Sequence, residues 1–338
     1  MKLFEISFRL IPLGVWARFV SGFGLGVSLL SLSLLGLSGC AWTHTSSSEF
    51  INTEPVPIKV LIVDGQNNHY IWPKSTAMMK AFLEESGQFS VDVYRTQYTW
   101  RGDRLSEQYP ANDGRVHETV AEAKTDPTFA PEFANYEVVI SNFGWKAAPW
   151  PEATKRAFEQ YMQNGGGFVS VHAANNAFPK WLEYNKMIGL GGWGGRNQKD
   201  GPYIYYTNSG KLKRDMSAGQ GGGHGFVHPF DIDVRKGAHP IMQGLPASWE
   251  HSEDELYNRL RGPAENLTVL ATAFDEKKHN GFGRHEPVLM TVNYHQGRVF
   301  HTTLGHGENV YAEPMFMTVL ANGVAWAAGA TRTEKGAN

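Results

Sequence analysis

Short β-branched, apolar runs that alternate with amphipathic stretches set the strongest limit on how this 338-residue chain can fold. Residues 58–63 are the first such run, ending in Asp64, Gly65, Gln66, Asn67, Asn68 and His69. A nearly unbroken apolar run of that length suits a parallel strand covered on both faces, with its loop at the carboxyl end. Pro73 opens a helical stretch over 73–86, with Met78, Met79, Phe82 and Leu83 on one side and Gly87 behind it. Residues 89–95 alternate as a second strand and 136–141 read as a third. Pro151 starts an amphipathic helix to 164, halted by Gly165, Gly166 and Gly167. Residues 168–172 are a fourth strand running into Ala173 and Ala174. This alternation predicts an α/β fold, a three-layer sandwich with a mostly parallel central sheet and helices on both faces.

Two stretches break the rhythm. Residues 98–134 are polar and weakly periodic, and read as an insertion over one edge, with a short helix expected over 116–124. After a helix over 181–188, glycines crowd 189–195 and again 219–225. Strands are expected over 226–234 and 267–274. Residues 288–294 and 299–304 predict a hairpin turning at Gln296 and Gly297. A helix over 315–328 closes the pattern, and no internal repeat is present.

The amino terminus carries a different message. Lys2, Arg9 and Arg18 precede an uncharged run from Phe19 to Gly39, a secretory signal in outline. It ends in Leu37-Ser38-Gly39-Cys40, which resembles a bacterial lipobox, and Cys40 is the only cysteine. Lipidation would consume a thiol that has no disulfide partner. The competing reading is a membrane-spanning anchor, diluted by glycine and serine. The expected organisation is a signal over 1–39, a tether over 40–56, one domain over 57–330 and a tail over 331–338. Ala41 in place of an Asp points to an exported lipoprotein of the outer membrane, facing the periplasm or the cell surface. The formal net charge is −2, and losing three cations and one carboxylate with the signal makes it more acidic. That argues against nucleic acid as a partner.

Sites in doubly wound sheets form at the carboxyl ends of strands. Of thirteen histidines, this singles out His69 after strand one, His172 at the end of strand four and His306 after the last strand. His172 follows a glycine-rich approach and an apolar strand, and precedes small residues. That is an elbow-like turn, which projects one side chain beside free backbone N–H groups. Histidine there can serve as base, acid or metal ligand. His306 with Glu308 is a further candidate pair, in which the carboxylate would orient the ring. Of the acidic run at 253–255, Asp254 or Glu255 is expected to point inward, because Leu256 and Tyr257 follow. His224 and His228 have metal-like spacing, but Gly225 and a strand-like run argue against one helical face. Any divalent metal, zinc among them, would need ligands gathered from far apart. No Gly-Lys-Ser/Thr loop is present, and Gly189–Gly195 lacks the strand-then-helix context of a nucleotide site. Trp72, Trp145, Trp150 and Trp193 fall in or beside expected loops, where they could offer platforms to sugar rings.

The motifs in order resemble the ThuA-like family of trehalose-utilisation proteins over about 57–329. They are Gly165-Gly166-Gly167-Phe168-Val169-Ser170-Val171-His172-Ala173-Ala174, Trp181 with Tyr184, and Ile188-Gly189. His228-Pro229-Phe230, Ala238-His239-Pro240-Ile241, Gly244-Leu245-Pro246 and Asp254-Glu255-Leu256-Tyr257 follow. Pro287-Val288, Gly297-Arg298-Val299-Phe300, Leu304-Gly305-His306 and Ala325-Trp326-Ala327-Ala328-Gly329 complete the series. The resemblance implies a flavodoxin-like, class I glutamine-amidotransferase-like sandwich and a link to the catabolism of trehalose or related 3-keto glycosides. It also implies that an amidotransferase relative would carry cysteine where His172 stands. Cysteine-dependent glutamine hydrolysis is therefore excluded.

Two functions are consistent with these residues. One is an enzyme, a hydrolase, lyase or isomerase of glycosides. It would use His172, His306, Glu308, Asp254 and Glu255 for proton transfer, with His69, His228 and Trp193 binding substrate. The other is a tethered carbohydrate-binding module without chemistry. A partner sugar oxidoreductase is a further expectation.

Overall fold

The computed structural model describes residues 56–329. The assignments to the signal, to the lipidated Cys40, to most of the tether and to the tail fall outside the described residues. The elements run β1 (Ile58–Gln66), α1 (Trp72–Glu85), β2 (Phe89–Trp100), α2 (Asp103–Gln108), β3 (Glu118–Thr119), β4 (Val138–Ser141), α3 (Glu152–Gln163), β5 (Gly167–Val171) and α4 (Leu182–Ile188). Then follow β6 (Tyr203–Tyr206), β7 (Leu212–Asp215), β8 (Gly223–His224), β9 (His228–Val234), β10 (Ser248–Asp254), β11 (Tyr257–Asn258), β12 (Leu267–Phe274), β13 (His285–Tyr294), β14 (Gly297–Thr302), α5 (Glu308–Tyr311) and α6 (Pro314–Ala327).

The main sheet has the order β10-β9-β12-β13-β14-β5-β4-β1-β2-β3. From β3 to β14 every neighbour is parallel. Beyond β14 the pairing turns antiparallel and forms a wing. The period of two along β1 explains the three layers. Val60 and Ile62 face one way and pack with Met79 and Leu83 of α1 and Phe316, Val319 and Leu320 of α6. Leu61 and Val63 face the other way, toward Phe158 and Met162 of α3 and Tyr184 and Met187 of α4. Both faces are covered, so the strand reads as continuously apolar. Among the described residues no helix is long and apolar enough to cross a membrane.

Four sequence expectations are corrected. No helix forms over 116–124; that stretch carries the edge strand β3, and the helix of the insertion is α2. β3 continues the sheet by pairing with β2, which extends to Trp100, further than its alternation suggested. The hairpin between β13 and β14 turns at His295 and Gln296, because Tyr294 pairs with Gly297. Trp72 and Trp150 are buried core residues rather than platforms. Their flat rings fill space that the helices leave above the sheet, a role composition cannot distinguish from exposure.

The order β2-β1-β4 reverses direction at β1, and such a switch point sets the place for a crevice at the carboxyl edge of the sheet. A buried ion pair ties β1 to β2 near this edge. Asp64 Oδ1 lies 2.8 Å from Arg95 Nε, Asp64 Oδ2 accepts from Arg95 Nη2 at 2.9 Å, and Thr76 Oγ1 donates to Oδ2 at 2.8 Å. Arg95 also stacks on Trp72 at 4.6 Å. β1, β2 and α1 are thus joined by one carboxylate. Replacing Asp64 by Ala strands a buried guanidinium and is expected to cost about 3–5 kcal/mol in urea unfolding. A loss under about 1 kcal/mol would show that water reaches Arg95 and that the joint is weak.

Candidate functional site: four histidines around Glu255

The carboxyl ends of three parallel strands each deliver one histidine. After β1, Asn67 folds back so that its Oδ1 accepts the His69 N–H at 2.9 Å, an Asx turn. Asn67 Nδ2 donates to Asn142 O and Phe143 O, both at 3.2 Å, which fastens this turn to the loop after β4. After β5, His172 stands at φ 45°, a left-handed conformation that is costly for a residue with a Cβ. The expected elbow is present in this form, at the start of a 3₁₀ turn over His172–Asn176. After β14, Gly305 takes φ 127°; a Cβ there would stand 2.8 Å from Tyr311 Oη and 3.2 Å from His172 Cβ. Glycine is required for His306 to approach His172.

The wing supplies the carboxylates. Glu255 follows β10 and lies among four imidazoles. Its Oε2 is 3.6 Å from His69 Nε2 and 3.8 Å from His172 Nε2. Its Oε1 is 3.4 Å from His306 Nε2 and 3.7 Å from His224 Nε2. Asp254, fully buried, has a different task. It accepts the N–H groups of Gly305 and His306 at 2.9 Å each, that of Glu255 at 2.8 Å, and His251 Nε2–H at 3.0 Å. It holds the wing to the β14 loop and sets both Glu255 and His306. Both carboxylates named from the sequence point inward, one as the hub of the cluster and one as its anchor.

Other candidates lie elsewhere. Glu308 turns away from His306 and pairs with Lys74 of α1. It opens α5, where a carboxylate is favoured and points outward along the helix start. His228 gives Nδ1–H to Phe226 O at 2.7 Å and stacks on His279 at 3.8 Å, outside the group around Glu255. β9 carries it on the wing, one strand away from the Glu255 turn. His239 caps the turn at Pro240–Met242 and packs on Trp326. Trp193 does border the site, with its ring 4.9 Å from Tyr257 and 6.1 Å from His224.

Two participants, Tyr257 and Glu313, were not singled out from the sequence as site residues, and a third, His224, was weighed there only for its spacing to His228. Tyr257 donates its hydroxyl proton to His172 Nε2 at 2.9 Å and stacks on that ring at 4.4 Å. His224 arrives because β8 pairs with β11, with His224 opposite Tyr257. Glu313 stands 2.7 Å from His251 Nδ1, within ion-pair range but off the line of a hydrogen bond. For His224 the neighbouring glycines were a usable signal. For Glu313, at the start of α6, the sequence holds none.

The glycine clusters make the floor beside Tyr257. Gly192 and Gly222 lie so close that a Cβ on Gly192 would be 3.0 Å from the Gly222 Cα, and Trp193 N–H donates to Gly221 O at 2.8 Å. Arg196 and Arg261, both buried, tie these loops through backbone carbonyls. Above the floor is a cleft of about 390 Å³ with Trp145 and Trp193 among its walls. Trp145 is held by its N–H to Asn68 Oδ1 at 2.8 Å, next to His69.

Burial opposes ionisation of Glu255, but the surrounding histidines outweigh it and hold its carboxyl at about 2. Burial, helped by the charge of His69, pushes His172 down to about 3. An ionised Glu255 beside a neutral His172 satisfies both, because His172 Nδ1–H donates to Thr303 O at 2.6 Å and Nε2 receives the Tyr257 proton. His251 goes the other way. Burial lowers it, yet Asp254 and Glu313 outweigh burial and raise it to about 9. In the unfolded chain it would titrate at about 6.5. The stability from this charge is complete below that value and disappears as pH rises through 9. Wild-type stability is expected to fall by about 3 kcal/mol between pH 6 and pH 10, and His251→Gln to remove most of that slope. Urea unfolding across this range checks it; equal slopes would locate the titration in another group.

Comparison with known proteins agrees with this architecture. The family model for ThuA, trehalose utilisation, matches residues 59–327. A ThuA-like protein of Parabacteroides merdae is 40% identical over 82% of this chain and 93% of its own, with a TM-score of 0.71. A ThuA-like protein of Bacteroides uniformis shares the fold at 20% identity, covering 82% of this chain and 94% of its own, with a TM-score of 0.51. No curated protein matches the chain. The α/β fold has a mostly parallel sheet at its centre and histidine at the elbow, and the chain belongs to the ThuA family of trehalose utilisation.

Proposed function

We propose that this protein is an enzyme of carbohydrate catabolism that acts on trehalose or a related glycoside, 3-keto forms included, by proton transfer through histidine and carboxylate. The observation that carries this reading is the convergence of His69, His172, His224 and His306 on Glu255, beside a cleft walled by two tryptophans. Glu255, ionised at neutral pH, is the proton acceptor. His306 and His69, on opposite oxygens of that carboxylate, relay the proton. The Tyr257 hydroxyl, whose proton rests on neutral His172 in the empty site, turns that proton to a sugar oxygen when substrate is bound. Such a set suits hydrolysis, elimination or isomerisation of a carbonyl-bearing sugar. Trp145 and Trp193 offer apolar faces to the rest of the glycoside.

The same proposal assigns the protein to the outer membrane, facing the periplasm or the cell surface, carried on a lipid at Cys40 and the tether over 40–56. Its natural neighbour is an oxidoreductase that converts a ring hydroxyl to the ketone of a 3-keto glycoside. A second reading, a binding module without chemistry, draws support from the cleft itself, since one wall, Trp145, is more exposed than any other described tryptophan.

Time-resolved NMR of the full-length protein with trehalose, other disaccharides and their 3-keto forms separates the two. New sugar resonances that grow with time are expected. His172→Ala should lower turnover by about 100-fold or more with unchanged circular dichroism, and Trp193→Ala should mainly raise KM. Turnover of a confirmed substrate at the wild-type rate by His172→Ala would sink the enzymatic reading as drawn. Ligand signals that broaden with no product would favour the binding module.

A further inference from the structure

Three rings of the cluster already spend their Nδ1 proton on an oxygen. His172 Nδ1–H donates to Thr303 O at 2.6 Å, His224 Nδ1–H to Gly225 O at 2.8 Å, and His69 Nδ1–H faces Asn67 Oδ1 at 3.2 Å. A neutral imidazole held in this way presents Nε2 as a bare lone pair. These three Nε2 atoms, and that of His306, all face the carboxylate of Glu255. Lone pairs collected around an anion repel it unless positive charge lies among them.

That charge can come from protons on the rings or from a cation between them. Protons are the poorer solution. The ring centroids of His69, His172 and His306 are 4.8, 5.0 and 5.9 Å apart, so several imidazolium ions would crowd one another. One divalent ion would neutralise the carboxylate and accept the lone pairs together. An Nδ1–H anchored on a carbonyl, which fixes the tautomer and leaves Nε2 free, is the usual outer support of a metal-bound histidine.

We propose that His69, His172 and Glu255 form the core of a site for one divalent transition-metal ion of the zinc type, with His306 and His224 closing it at the other carboxylate oxygen. One ligand atom from each core residue already lies within 4.8 Å of the others. Donor atoms on a tetrahedral ion with arms of about 2.1 Å stand about 3.4 Å apart. The four contacts to Glu255, between 3.4 and 3.8 Å, are near that spacing. Nitrogen and carboxylate donors together suit zinc and its first-row neighbours better than magnesium or calcium. Loading requires Tyr257 to release the His172 Nε2 lone pair. The ligands come from β1, β5, β8, the turn after β10 and the loop after β14, which is why no close-spaced signature marks them in the sequence. The proposal rests on the function proposed above only for what the ion would serve, not for its binding; with an ion bound, Glu255 and His69 would be its ligands and would no longer carry the proton.

The test is zinc binding by tag-free, full-length protein after dialysis against a chelator, followed by calorimetry and elemental analysis. The visible absorption of the cobalt-substituted protein gives an independent signal. One ion per chain is expected. His69→Ala and Glu255→Gln should each weaken binding by more than about 100-fold with circular dichroism unchanged, while His239→Ala, remote from the cluster, should leave it as it is. Absence of stoichiometric binding at micromolar zinc would overturn the proposal, as would wild-type affinity in the His69→Ala, Glu255→Gln double variant. Zinc bound with no sugar turned over would uphold the site and defeat the proposed function. Undiminished turnover by protein that binds no zinc would do the reverse.

Discussion

Everything at the site depends on the buried carboxylate of Asp254. It lies at the end of a wing strand, and its two oxygens collect three backbone N–H groups and one imidazole. Two of those N–H groups belong to the loop after β14 and one belongs to Glu255. The wing could otherwise slide against the parallel half of the sheet, since antiparallel pairing alone does not fix a turn beyond the ladder. A charge with no water around it needs its donors in place. His251 is the counterion that makes its burial tolerable, and Glu313 in turn supports His251 from the start of α6. The chain therefore ties three distant segments to one anion before any catalytic group is considered.

Glu255 inherits its position from that knot. It is adjacent to Asp254 yet has the opposite environment, partly open and ringed by imidazoles. Two neighbouring carboxylates thus stand in opposite surroundings because one is satisfied by backbone donors and the other is not. The elbow at His172 contributes in the same spirit. Its left-handed backbone is held by the strand behind it, by the Thr303 carbonyl on one ring nitrogen and by Tyr257 on the other. At the elbow this chain holds a neutral imidazole whose two nitrogens are both engaged.

Much of the fold was legible in the residues. β1, β4, β5, β14, α1, α3, α4 and α6 all lie within a few residues of where periodicity placed them, since strands covered on both faces must be apolar and the helices must be amphipathic. The edge was harder. β3 is two exposed residues whose pairing is decided by β2, and β10 reads as a charged run because its outward positions carry Glu250 and Glu253. Of the site, His69, His172 and His306 could be found from their places after strands. Glu255 was one of two inward candidates, and Tyr257 appeared only as the apolar residue that turned them inward.

By itself the sequence determined the class of fold, the carboxyl edge as the place where polar side chains collect, and histidine rather than cysteine at the elbow. These follow from local rules: burial on two faces dictates strand composition, and a strand end is where a chain can expose a polar group. Tertiary structure decided which groups meet. Glu308 is two residues from His306 and points to Lys74, whereas Glu255 is far from His306 in the chain and faces it at 3.4 Å. The difference arises because β14 enters the sheet between β5 and β13, bringing the wing to the crevice, and strand order is set by packing over the whole domain rather than by any local pattern.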